Sequence, residues 1–160
     1  MDENLWLNKI EETKKGSADL SRDEDLSIAL MNLISLEEHF YFTAMKTQNQ
    51  SYLDMLYSTR EMRKTLMKKI VSDPKGEEWC ISKHLLAASM RLVEVGTKEL
   101  QKNRAEAERM FSFAFNLFSL FFAINMKIVE MKELKGDDLE GSKLGKFSEI
   151  VKKIVDCCKE

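Results

Sequence analysis

The sequence predicts an all-α fold: an antiparallel, up-down helical bundle of four long helices flanked by two short ones. Three observations lead there. A chain of 160 residues with one proline and six glycines has too few turn-formers for the many reversals of a β-sandwich or barrel. Its apolar residues recur over long runs at the three- and four-residue spacing of a helix face. The breaks between those runs are short, which sets consecutive helices side by side and antiparallel. At this length one domain, residues 1–160, buries about two-thirds of its unfolded surface.

Each element has its own signal. Residues 4–15 read as a short amphipathic helix docked through Leu5, Trp6 and Ile10 and ended at Gly16. Ser21 with Glu24 three residues on is a capping-box signature. The helix it opens runs to about Thr47, with Leu26, Leu30, Leu33, Phe40 and Ala44 on one stripe. Gln48, Asn49 and Gln50 interrupt the pattern. Ser51 is placed to cap a second helix reaching about Ser72, its inward face formed by Met55, Thr59, Met62, Leu66 and Ile70. Asp73-Pro74-Lys75-Gly76 is the plainest turn, since proline stops a helix and glycine accepts a left-handed backbone. A third helix spans about 77–102 and, across Asn103, a fourth spans about 105–134, so the bundle proper is 21–134. Three glycines mark 136–145 as a loop. A final amphipathic helix, 146–159, presents Phe147, Ile150, Val151, Ile154 and Val155.

Charge and cysteine content narrow the function classes. A formal net charge of −2 offers no general attraction to phosphate. The basic face of the second helix, Arg60, Arg63, Lys64, Lys68 and Lys69, lacks the interleaved aromatics that stack on bases, so it reads as a solvated face and not a nucleic-acid groove. Cys80 stands alone and Cys157 adjoins Cys158, which is neither a disulfide framework nor a zinc spacing and suits a reducing cytoplasm. The N-terminal stretch has too little continuous apolar sequence for a secretory signal. Residues 110–126 hold no charge, yet they are short for a membrane span of about 20 residues and carry Ser112, Asn116, Ser119 and Asn125. They read as a central helix of a soluble protein.

The candidate site consists of polar residues that interrupt apolar stripes. Glu37 falls among the inward positions of the first helix, with Glu38 and His39 beside it. Arg63 interrupts the second, with Arg60 one turn earlier. His84 and Arg91 interrupt the third and Asn116 the fourth. Taking each connection as the mirror point of a hairpin sets Glu37 and Glu38 level with Arg60, Arg60 level with Arg91, and Arg91 level with Asn116. Six residues, Glu37, Glu38, Arg60, Arg63, Arg91 and Asn116, thus share one layer. Such a layer is either a sealed ion-pair network that fixes register or a pocket for a small anionic ligand.

Enzymatic readings fare worse. A di-metal bundle site needs Glu-x-x-His on two helices, whereas Glu61 is followed at that spacing by Lys64 and Glu94 by Thr97. Cys80 and His84, one helical turn apart, have no orienting acid, and with Ala87 and Arg91 they read as a close-packed inward stripe. The chain has no phosphate-cradling glycine loop, no nucleophile elbow, and no Arg-x₄₋₆-His pair of the kind used by helical-bundle ribonucleases. No metal or cofactor is expected, and a metal-dependent or hydrolytic site at His39 or His84 is the weakest reading. The strongest partner signal is the fourth helix, where phenylalanines occupy most of the circumference. One face packs inward and the other needs cover, so Phe111, Phe115, Phe118 and Phe122 are expected to form a homodimer interface. The leading expectation is therefore a non-catalytic structural or interaction protein that self-associates.

Overall fold

Four helices form where the apolar spacing places them, and local chemistry sets their ends. The computed structural model describes residues 20–129 and residue 151, Leu20 by its backbone alone. Among the described residues the chain is all-helical and without strands: α1 is Leu20–Thr47, α2 Ser51–Met67, α3 Glu78–Glu99 and α4 Arg104–Asn125. The expected short helix at 4–15, the loop at 136–145 and the final helix at 146–159 lie outside the described residues, Val151 excepted. That residue is helical and buried in the core.

Several expected boundaries shift for identifiable reasons. Ser21 already lies inside α1. At the other end Gln48 takes a left-handed φ of 57°, so a glutamine does there what glycine usually does. Ser51 is the first residue of α2, not its cap; Asn49 Oδ1 accepts from the Ser51 N–H at 3.0 Å and its hydroxyl at 2.8 Å. α2 stops at Met67 instead of Ser72, because Ile70 and Val71 turn inward to be buried. α4 is capped as its sequence suggests, with Asn103 Oδ1 accepting from the Glu106 N–H at 3.1 Å. It ends at Asn125, well short of 134. Lys127 adopts a φ of 56°, and the N–H groups of Ile128 and Val129 fold back onto the Ala123 carbonyl at 2.9 and 3.2 Å. That reversal lets both apolar side chains enter the core.

α1 packs on α2, α3 packs on α4, and α1 also meets α3. The α3–α4 pair is antiparallel. Ser89 Oγ donates to the Ala114 carbonyl at 2.8 Å, Asn125 Nδ2 donates to Ser82 Oγ at 3.0 Å, and Lys127 reaches Glu78 at 2.8 Å. Small residues seven apart permit the close approach: Ser82, Ser89 and Gly96 on α3, Ala107 and Ala114 on α4. A Cβ at Gly96 would lie 2.7 Å from Phe111 Cε1 and 3.2 Å from Met110 Cβ.

The core is not spread evenly along the helices. Leu30 and Met31 of α1 join Met67, Ile70 and Val71, Leu85 and Leu86 of α3, the 120–124 run of α4, and Val151. In the other halves, 36–62 and 91–113, the buried residues are Ala44, Thr59, Gly96 and Ala107. Large side chains thus join the elements at one end. At the turn ends each hairpin closes on its own small residues.

Candidate functional site

Five of the six anticipated layer residues pair, in two separate groups. Glu37, on the α1 face toward α2, accepts from Arg63 Nε, and its second oxygen lies 3.3 Å from Arg63 Nη2 and 3.4 Å from Arg60 Nε. The Arg63 side chain is 4% exposed, Glu37 12% and Arg60 51%. Arg63 Nη1 also approaches Met67 Sδ at 4.0 Å. Glu38, one residue on and so about 100° around the helix, turns to α3 and pairs with Arg91. Both partners of that second pair are half in solvent. Asn116 is half-buried on α4.

The register estimate thus agrees with the pairing of α1 to α2 and of α1 to α3, while the expected enclosure is absent at Arg91. The cause lies in α3. Its buried face is Ser82, Ser89 and Gly96 against α4, and Cys80, His84 and Arg91 lie roughly on the opposite side. Cys80, His84 and Arg91 are exposed and Ala87 is half-buried, so the stripe expected to point inward points outward. The carboxylate of Glu37 already holds the position between Arg60 and Arg63 that an anionic ligand would take. A shallow cleft of about 470 Å³ lies elsewhere, at the α2–α3 connection, lined by Lys68, Val71, Ser72, Asp73, Pro74 and Trp79. It shares no residue with the polar layer.

Near that connection sits a buried carboxylate that sequence reasoning passed over. Glu78, the first residue of α3, accepts from Lys127 Nζ at 2.8 Å and from the Lys75 N–H at 2.9 Å. The Lys127 ammonium foremost, then the backbone donor, hold its carboxyl below the ordinary glutamate value, against the opposing pull of burial. Glu78 thereby ties the start of α3 to the reversal after α4. Among the described residues no three His, Cys, Asp or Glu side chains gather where a metal would sit, and His39 and His84 are exposed on different helices.

The phenylalanines expected at an outer face of α4 are engaged within the chain. Phe122 is buried, edge-to-face with Phe121 at 5.4 Å and with Phe118 at 5.1 Å. Phe115 and Phe118 pack on the core, and Phe111 covers Gly96. The second half of α4 is enclosed nearly all round because α1, the end of α2 and Val151 join the core there. By length and composition α4 is apolar enough to cross a membrane, and 44% of its apolar window is buried here.

Exposed apolar surface lies on the hairpin ends instead. Tyr41 is 48% exposed, Phe42 60% and Met45 48%, with Met55, Tyr57 and Met62 on α2, Val95 on α3 and Phe113 on α4 also open. On α1 these residues continue a seam. Glu24, Ser27, Met31, Ile34, Glu38, Tyr41 and Met45 follow one another at alternating spacings of three and four. Glu24, Ser27 and Met31 are buried, Ile34 is half-buried, and from Glu38 onward the seam is uncovered. The 3-4 alternation was present in the sequence, but the wider stripe through Leu30, Leu33 and Phe40 masked it. No family model matches the chain, and no curated protein or solved structure matches it either.

Proposed function

We propose that the chain is a non-catalytic helical interaction protein of the cytoplasm: an antiparallel up-down bundle that self-associates through its hairpin ends. The bundle arrangement is supported by α1 lying against both α2 and α3 while α3 and α4 form their own antiparallel pair. The observation that carries the functional reading is the three-and-four seam of α1, covered over its first half and open over its second at the apolar Tyr41 and Met45. Tyrosine, phenylalanine and methionine are the residue types enriched where proteins meet. Among the described residues Glu37, Arg63 and Glu78 are each paired, and both histidines face solvent.

Light scattering coupled to gel filtration tests this over a concentration series. The expected mass rises from that of the 18.6 kDa chain toward twice that value. A mass fixed at the single chain throughout refutes self-association.

A further inference from the structure

The open half of the α1 seam has a chemistry that selects its partner. Resting on the self-associating reading, we infer that the partner is a second copy of this chain and that the two copies meet α1 to α1. The helices cross antiparallel about a two-fold axis near Tyr41 and Phe42.

Three observations support that choice. The first is spacing. The alternating three- and four-residue spacing is the pattern by which one helix packs along another, and it runs from the buried Ser27 and Met31 through Ile34 and the ion-paired Glu38 to the open Tyr41 and Met45. Whatever covers the second half is therefore best supplied by another helix with the same repeat. The second is charge. The hairpin ends, 36–62 and 91–113, carry eight acidic and seven basic side chains, and the two carboxylates beside the patch, Glu37 and Glu38, are paired with Arg63 and Arg91. A patch that meets its own copy must not repel itself, and this one is nearly balanced. A nucleic acid or an anionic membrane surface would call for a basic surround, which the balance denies.

The third is area. Tyr41 and Phe42 meet edge-on at 5.2 Å and with Met45 form one patch. About half of each stays uncovered, on the order of 300 Å² in all. A standard interface takes about 800 Å² from each partner. In the two-fold arrangement each copy sets Glu38 and Met45 of α1 against the other's Met45 and Glu38. The exposed Arg91 beside Glu38 then forms a polar rim around the aromatic centre. This places the dimer at the weak, concentration-dependent end of the range.

The test uses the full chain and light scattering, with Tyr41→Arg and Met45→Glu as the seam variants and Phe113→Arg as the control on the second hairpin. All three positions are exposed, and an unchanged helical circular dichroism spectrum and melting curve at low concentration verify that the variants stay folded. The expected result is a wild-type mass that doubles with concentration, seam variants that stay monomeric, and a control that behaves as wild type. A dimer lost in Phe113→Arg and kept in the seam variants overturns the α1 contact while leaving self-association standing. A monomeric wild type at every concentration overturns both, whether another protein or nothing at all covers the seam. A second measurement addresses the two-fold axis. With Cys80, Cys157 and Cys158 changed to serine, Phe42→Cys is expected to cross-link to itself under mild oxidation. Failure to do so in a preparation that is dimeric by mass overturns the α1-to-α1 geometry.

Discussion

Removing the two members of the Glu37–Arg63 pair separately should have unequal costs. Arg63 is 3% exposed, and besides Glu37 its guanidinium approaches the Met67 sulfur at 4.0 Å. Glu37→Leu therefore strands a buried cation. Breaking a buried pair from one side costs about 3–5 kcal/mol, and the slight exposure of Glu37 argues for the lower end. Arg63→Met is milder, because Glu37 keeps Arg60 at 3.4 Å and some contact with water. A cost of about 1 kcal/mol follows from one lost charge-assisted hydrogen bond partly replaced by another. The double variant Glu37→Leu/Arg63→Met removes both charges and refills the space with apolar atoms, so it should lie within about 1 kcal/mol of the parent. The two single costs then exceed the double by about 3 kcal/mol, a coupling far outside the additivity expected of independent sites. Urea unfolding followed by far-ultraviolet circular dichroism, compared at low protein concentration, reads all four proteins on one scale. Equal costs for the two single variants, or costs that simply add in the double, would refute the reasoning. They would mean that Arg63 finds water unaided and that its pairing with Glu37 contributes little.

The same measurements check three further expectations. Glu78→Gln loses a carboxylate whose pKa is lowered in the folded chain; its contribution is complete above the unfolded value and disappears as pH falls through the lower folded one. The variant should be less stable than the parent at neutral pH by under about 1 kcal/mol, Lys127 being half in solvent, and the gap should close in acid; a gap that widens in acid counts against the assignment. Gly96→Ala should fail to gain the roughly 1 kcal/mol that alanine offers in a helix, since its Cβ meets Phe111 and Met110, and Phe111→Leu should restore part of that gain. A raised melting temperature from Gly96→Ala alone would show that α3 and α4 are looser than their geometry. Ser119 Oγ is buried without a hydrogen-bond partner, so Ser119→Ala should raise the melting temperature by about 2–3 °C, and a lowered one would reveal a bond the hydroxyl makes.

Much of this architecture was legible in the sequence because helices announce themselves through spacing and punctuation. The Gln48 to Gln50 break and the Asp73 to Gly76 turn fixed two connections, and counting residues from the first put Glu37 level with Arg60, as their ion pair shows. What counting along a helix cannot supply is rotation about its axis. Glu38 and Arg91 were placed at the right height yet lie on the surface, because the small residues Ser82, Ser89 and Gly96 decide which side of α3 faces α4. A serine or glycine carries almost no hydropathy signal, so a stripe made of them is invisible to a search for apolar faces. On α4, composition alone did not say how far the phenylalanines pack inward. Its phenylalanines looked too numerous for one interior, and the chain accommodates Phe121, Phe122 and Phe118 by surrounding only the second half of the helix.

These two features share a physical cause that also bears on function. Large residues confine the common core to the first halves of α1 and α3, the last residues of α2 and the second half of α4, and small ones close each hairpin separately beyond it. Small-residue contacts bring two helices near each other but bury little apolar area, so they hold each hairpin without drawing the two hairpins together. α1 nevertheless continues for about three turns past Ile34 with tyrosine, phenylalanine and methionine on its surface. A helix needing only to fold would be served as well there by lysine and glutamate, which prefer the helix and solvate freely. Exposed aromatic residues on that stretch contribute little to the isolated chain and much to an association, which is why the open seam, rather than the paired arginines, is the place to look for what the protein does.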